Sequence, residues 1–83
     1  MQHKNLIEIL GRQGLVRDGE SWSAPNGLQA TVYISLDEES LIIDRVTRFD
    51  VSPEYAVLTT QRRERYAVEV EGVRALRFVT DAK

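Results

Sequence analysis

LQATVYISL, residues 28–36, is the stretch whose reading decides the fold. Leu28, Ala30, Val32, Ile34 and Leu36 alternate with Gln29, Thr31, Tyr33 and Ser35. A period of two, apolar on one side and polar on the other, is what a strand half-buried in a sheet requires. Asp37-Glu38-Glu39-Ser40 follows as an acidic, solvated turn. LIIDRVTRFDV, residues 41–51, then reads as a second and longer strand. Its alternation is broken: Leu41, Ile43, Phe49 and Val51 share one parity, while Ile42 and Val46 take the other. A parity switch predicts a bulge or sharp bend, the device by which small sheets curl into barrels.

Farther along, Pro53 ends the second strand in a turn. YAVLTT (55–60) and RYAVEV (65–70) form a hairpin around an arginine-rich tip. On its second strand Tyr66, Val68 and Val70 face one way, and Arg65, Ala67 and Glu69 the other. Gly72 permits a tight turn into VRALRFV (73–79), where Leu76 and Phe78 share a face. Upstream, RDGESWSAPNG (17–27) is a turn-rich linker punctuated by Asp18-Gly19 and Asn26-Gly27, with room for a short extra strand around Ser21–Ala24. Before it, a short helix spans about 5–13. Asn5 serves as N-cap with Glu8 three positions later, and Leu6, Ile9 and Leu10 form its docking face. Gly11 weakens that helix and Gly14 stops it.

The 83 residues make a single domain, with the barrel over about 28–79. The fold class is mainly β: a short N-terminal α-helix, then a strongly bent five-stranded antiparallel small barrel. Five such strands in so short a chain favour closure over a flat sheet.

Composition narrows the function. There is no cysteine, which removes disulfides, thiolate metal sites and cysteine nucleophiles. The one histidine, His3, lies in a terminal segment, so no nucleophile–base pair of the usual kind can be drawn and no enzyme is expected. Asp37-Glu38-Glu39 lacks the spacing and the glycine of a calcium loop. No metal and no cofactor is implied. No apolar run approaches the length of a membrane span, and MQHKNLIEIL lacks the apolar core of a signal peptide, so a cytoplasmic protein is expected. The net charge of −2 argues against nonspecific duplex binding. It leaves room for a local basic face, since nine of the eleven basic residues are arginine.

The helix, TVYISLDEESLIIDRVTRFDVSPEYAVLTT and RYAVEVEGVRALRFV together resemble the Sm-like fold of bacterial Hfq and of small Rho-inhibitor proteins. VTRFD followed by YAVLTT is similar to the family's second-to-third strand passage, and VEVEGVRAL to its tight fourth-to-fifth strand turn. General SH3-like barrels share the architecture. The resemblance implies a small barrel, single-stranded RNA as one class of ligand, and a homo-oligomeric ring joined through the fourth and fifth strands.

Arg62, Arg63 and Arg65 crowd the hairpin tip. One account is a solvated turn that Glu64 partly neutralises and that guards the strand edges. The other is a contact surface, in which they join Arg45, Arg48, Arg74 or Arg77 to hold phosphate or carboxylate, with Tyr66 or Tyr55 stacking a base. Trp22 either covers an open end of the barrel or, with Tyr33 on the wet face, anchors a partner. The function expected is a small regulatory or adaptor module that binds a protein. The alternative is an Sm-like single-stranded RNA-binding protein using the arginine-rich tip.

Overall fold

A computed structural model of the chain describes residues 1–80. One helix, α1 (His3–Arg12), precedes seven strands: β1 (Val16–Asp18), β2 (Ser21–Ser23), β3 (Leu28–Leu36), β4 (Glu39–Val51), β5 (Tyr55–Thr60), β6 (Arg65–Glu69) and β7 (Val73–Thr80). A single 3-10 turn, Val70–Gly72, joins β6 to β7. All pairings are antiparallel. The fold is mainly β, and its curled sheet forms a half-barrel with the helix at its N-terminal end.

The two strands beyond the five read from the sequence are β1 and β2, in the supposed linker. Asp18-Gly19 makes a hairpin there, with Gly19 at φ +64°, and Ser21–Ser23 pairs with Arg48–Asp50 of β4. The curl also stops short of closure: β6 and β7 are the two ends of the curled five, unpaired with one another among the described residues.

β4 organises the sheet. Along one edge it pairs first with β3, from Leu36↔Glu39 to Ala30↔Val46, and then with β2. Its opposite edge pairs with β5 only from Val46 onward. Buried side chains of β4 fall at Ile43, Val46, Phe49 and Val51, so inward parity is re-set twice. Arg45 takes a left-handed backbone at φ +57°, and the register shifts again between Val46 and Arg48. The bend expected from the sequence is therefore a double one, and Ile42 is left 56% exposed.

The concave face holds the core. Ala30, Val32 and Ile34 of β3 meet Val46, Phe49, Leu58, Val68, Val70 and Val73. Thr31 departs from its strand's alternation, because it faces outward and is still buried. Its hydroxyl donates to Asp44 Oδ1 at 3.0 Å, which satisfies the buried oxygen.

α1 docks through Leu6 and Leu10, both fully buried, with Ile9 only half-buried. It starts two residues before Asn5. Gln2 is the N-cap residue, without a side-chain cap bond, so the Asn5–Glu8 capping box does not form. Instead the Met1 nitrogen donates to the carbonyls of Val70, Glu71 and Val73 at 3.3, 3.1 and 2.9 Å. Those bonds tie the helix start to the 3-10 turn. The helix end is as read. Gly14 sits at φ +89°, its N–H reaches the Gly11 carbonyl at 3.2 Å, and the Leu15 N–H reaches the Leu10 carbonyl at 3.2 Å. This pair of bonds is a Schellman cap, and Leu10 and Leu15 both enter the core beneath it.

The two helix-end glycines should respond oppositely to alanine. A Cβ at Gly11 would meet Trp22 ring carbons at 3.6 and 3.7 Å, ordinary contact. Gly11→Ala should therefore raise stability by about 0.5–1 kcal/mol through helix propensity. Gly14→Ala should lower it by about 1 kcal/mol, because the left-handed backbone strains any Cβ. Denaturant titration of both variants checks the signs.

Candidate functional site

The β5–β6 hairpin presents the arginines. Its ladder runs from Tyr55↔Glu69 to Thr59↔Arg65. Beyond it the tip folds back on Thr60, which receives the Arg63 N–H on its carbonyl at 2.8 Å and the Glu64 N–H on its hydroxyl at 3.2 Å. Arg63 takes φ +67° to make this turn. The tip is held against β4 by one further bond, from the Gln61 N–H to the Arg45 carbonyl at 2.8 Å. So the left-handed residue of the β4 bend also anchors the hairpin.

This arrangement divides the arginines between two hollows. Ile42, Asp44, Arg45, Thr60, Arg62, Glu64 and Tyr66 line a notch of about 340 Å³ with Ile43 at its base. Its wall is the stretch of β4 before Val46, where the edge facing away from β3 has no partner strand among the described residues. Tyr66 is half-buried there, and its strand neighbour Leu58 is in the core. The second hollow lies on the convex side and is lined by Arg48, Asp50, Val57, Thr59, Arg63 and Arg65. The registers Ser23↔Arg48, Arg48↔Thr59 and Thr59↔Arg65 place Arg48, Thr59 and Arg65 in one row, and Asp50↔Val57 forms a second row beside it.

The six candidate residues thus fall into two groups of three, rather than one basic face. Arg48 is already engaged: its guanidinium contacts Asp50 Oδ1 at 3.2 Å and donates to the Ser21 hydroxyl at 3.0 Å. Ser21 in turn donates to Asp50. Among the described residues the only other ion pair is Glu8–Arg12 within α1. Arg45, Arg62, Arg63 and Arg65 therefore have no carboxylate within ion-pair distance among the described residues.

The aromatic candidates separate as well. Trp22 is 7% exposed and belongs to the core. It pairs with Phe49 across the β2–β4 ladder, faces Gly11 of α1, and is covered by the Arg17 guanidinium 5.3 Å from the ring centroid. Tyr33 remains on the outer face, half-exposed between Ala75 and Ile42. Tyr55, the other residue read as able to stack a base, is 54% exposed. The register sets it in the row of Glu69, on the same convex face as Val57, Thr59 and Arg65. The free β4 edge carried no signal in the sequence, because a strand edge is defined by its neighbours and not by its own letters.

Comparison with protein-family models, with curated proteins and with solved structures finds no match to this chain. No helix among the described residues is long and apolar enough to cross a membrane.

Strain at Arg45 has a measurable signature. A non-glycine residue in the left-handed region costs roughly 1–2 kcal/mol, which glycine avoids. Arg45→Gly should raise stability by about 1 kcal/mol. Arg45→Val, whose branched side chain tolerates this backbone poorly, should lower it by at least as much. Thermal unfolding of the two variants against the parent checks this.

Proposed function

We propose that the protein is a non-enzymatic binding module, a small cytoplasmic regulatory or adaptor protein that recognises another protein. The observation that supports this best is the notch beside the unpaired edge of β4, from Glu39 to Asp44. An extended segment of a partner can add to that edge as a strand, its main chain giving affinity and its side chains specificity. Arg45 and Arg62 would hold a carboxylate of the segment through bidentate contacts. Ile42 and Tyr66 would supply apolar surface.

Charge favours a peptide here over a polyanion. Two arginines and two carboxylates, Asp44 and Glu64, line the notch, so their formal charges cancel. Phosphate neutralisation needs a basic field, whereas a peptide of mixed charge can answer both signs.

Single-stranded RNA is the second reading, and the convex hollow favours it. Arg48, Arg63 and Arg65 stand there against one carboxylate, Asp50, with exposed Tyr55 on the same face for stacking. The helix, the five bent strands β3 to β7 and the tight β6–β7 turn support an Sm-like or SH3-like relationship on which this reading would draw.

A displayed library of random peptides, selected on the protein, separates the two. Enriched peptides should combine alternating apolar residues with a carboxylate. Arg45→Glu with Arg62→Glu should weaken them tenfold or more, equivalent to about 1.4 kcal/mol. Fluorescence anisotropy with labelled single-stranded RNA is the counter-measurement. Binding at physiological salt that is lost in the Arg62→Ala, Arg63→Ala, Arg65→Ala variant would reverse the ranking.

A further inference from the structure

β6 is an end strand, pairing only with β5 among the described residues. Two flanking hydrogen bonds phase its ladder: Thr60 N–H to the Glu64 carbonyl at 2.9 Å and Val70 N–H to the Glu54 carbonyl at 2.9 Å. Both continue the register that runs from Tyr55↔Glu69 to Thr59↔Arg65. In an antiparallel ladder, bonded and non-bonded residues alternate. Tyr66 and Val68 therefore bond to β5. Arg65, Ala67 and Glu69 turn their N–H and C=O groups to the open edge, and the side chains of all three are exposed.

We propose that this edge pairs with the same edge of a second copy, antiparallel about a two-fold axis at Ala67. The open-edge groups then match residue for residue. Ala67 exchanges both hydrogen bonds with Ala67 of the second copy, and Arg65 does so with Glu69 of the second copy, twice by symmetry. Each Arg65 side chain lies directly opposite a Glu69 side chain, the cross-strand arrangement in which opposite charges are favourable. At the axis stands alanine, small enough for close approach. A two-fold interface must be self-complementary, and RYAVE is so in charge as well as in hydrogen bonding.

The other end strands, β7 and β1, do not offer this. β7 carries Arg74 and Arg77 and no acid, so it can answer Glu69 but not Arg65. β1 has three residues, and centring it on itself would set Arg17 against Arg17. An open strand edge is a template for association, and the side chains of β6 select one partner and one register for it. The inference stands apart from the proposed partner site, where Arg45 and Arg62 would hold the carboxylate and Ile42 and Tyr66 would supply apolar surface, Tyr66 bonding to β5 and not to the open edge.

A five-residue edge buries less than a standard interface, so the dimer should be weak and concentration-dependent. Sedimentation equilibrium on the full chain, from about 10 μM to about 1 mM, should show monomer passing to dimer. Arg65→Glu sets glutamate against Glu69, and Glu69→Arg sets arginine against Arg65. Each variant alone should weaken self-association tenfold or more while keeping the parent's circular dichroism. Mixed in equal amounts, the two should recover dimer, because each then supplies the charge the other lacks. Monomer across the whole range would overturn the proposal. So would a ring-sized particle, a dimer indifferent to both substitutions, or a mixture that stays monomeric.

Discussion

Apolar side chains can stay on the concave face of β4 only if the strand changes parity twice, at Arg45 and again before Arg48. The remaining pairings depend on that constraint. Before the bend, β4 belongs to the part of the sheet that holds β3 and β7; after it, to the part that holds β2, β5 and β6. Val46 sits at the hinge and faces Ala30 on one edge and Thr60 on the other. With no accessible surface, it is held by both halves of the half-barrel at once. The left-handed backbone at Arg45 is thus sustained by packing on either side of it, which is how strained conformations persist in folded proteins.

The same bend sorts the charged residues. Because β5 joins β4 only after the hinge, the β5–β6 tip overhangs a length of β4 that has no partner on that edge. The letters QRRER look like a single basic cluster. In three dimensions Arg62 turns toward Arg45 and Tyr66, while Arg63 and Arg65 turn toward Arg48. Charge that is contiguous in sequence becomes two surfaces of different character: one balanced by Asp44 and Glu64, the other basic on balance.

Much of the scaffold was legible in the sequence because its signals are local. The alternation of β3, the broken parity of β4, the glycine that ends α1 and the inward face of β6 each follow from the period or chemistry of a few adjacent residues. What was not legible depends on distant neighbours. Ser21–Ser23 becomes a firm strand only because Arg48–Asp50 offers it an edge. The helix starts at His3 rather than after Asn5, where Met1 bonds to the distant carbonyls of Val70 and Val73. Nothing in the letters Asp44-Arg45 marks a left-handed turn, since neither residue is glycine. For the candidate site, the arginines could be named from sequence, but their grouping could not, because grouping is a property of the bend.

Trp22 lies where three independent parts of the fold meet: Gly11 of the helix, Arg17 of the N-terminal hairpin and Phe49 of the central strand. It is the protein's sole tryptophan. Its indole emission is therefore a built-in optical gauge of whether helix and hairpin are seated on the sheet. Release of either would expose the ring to water and shift that emission to the red, so the joint could be followed in real time without attaching a dye.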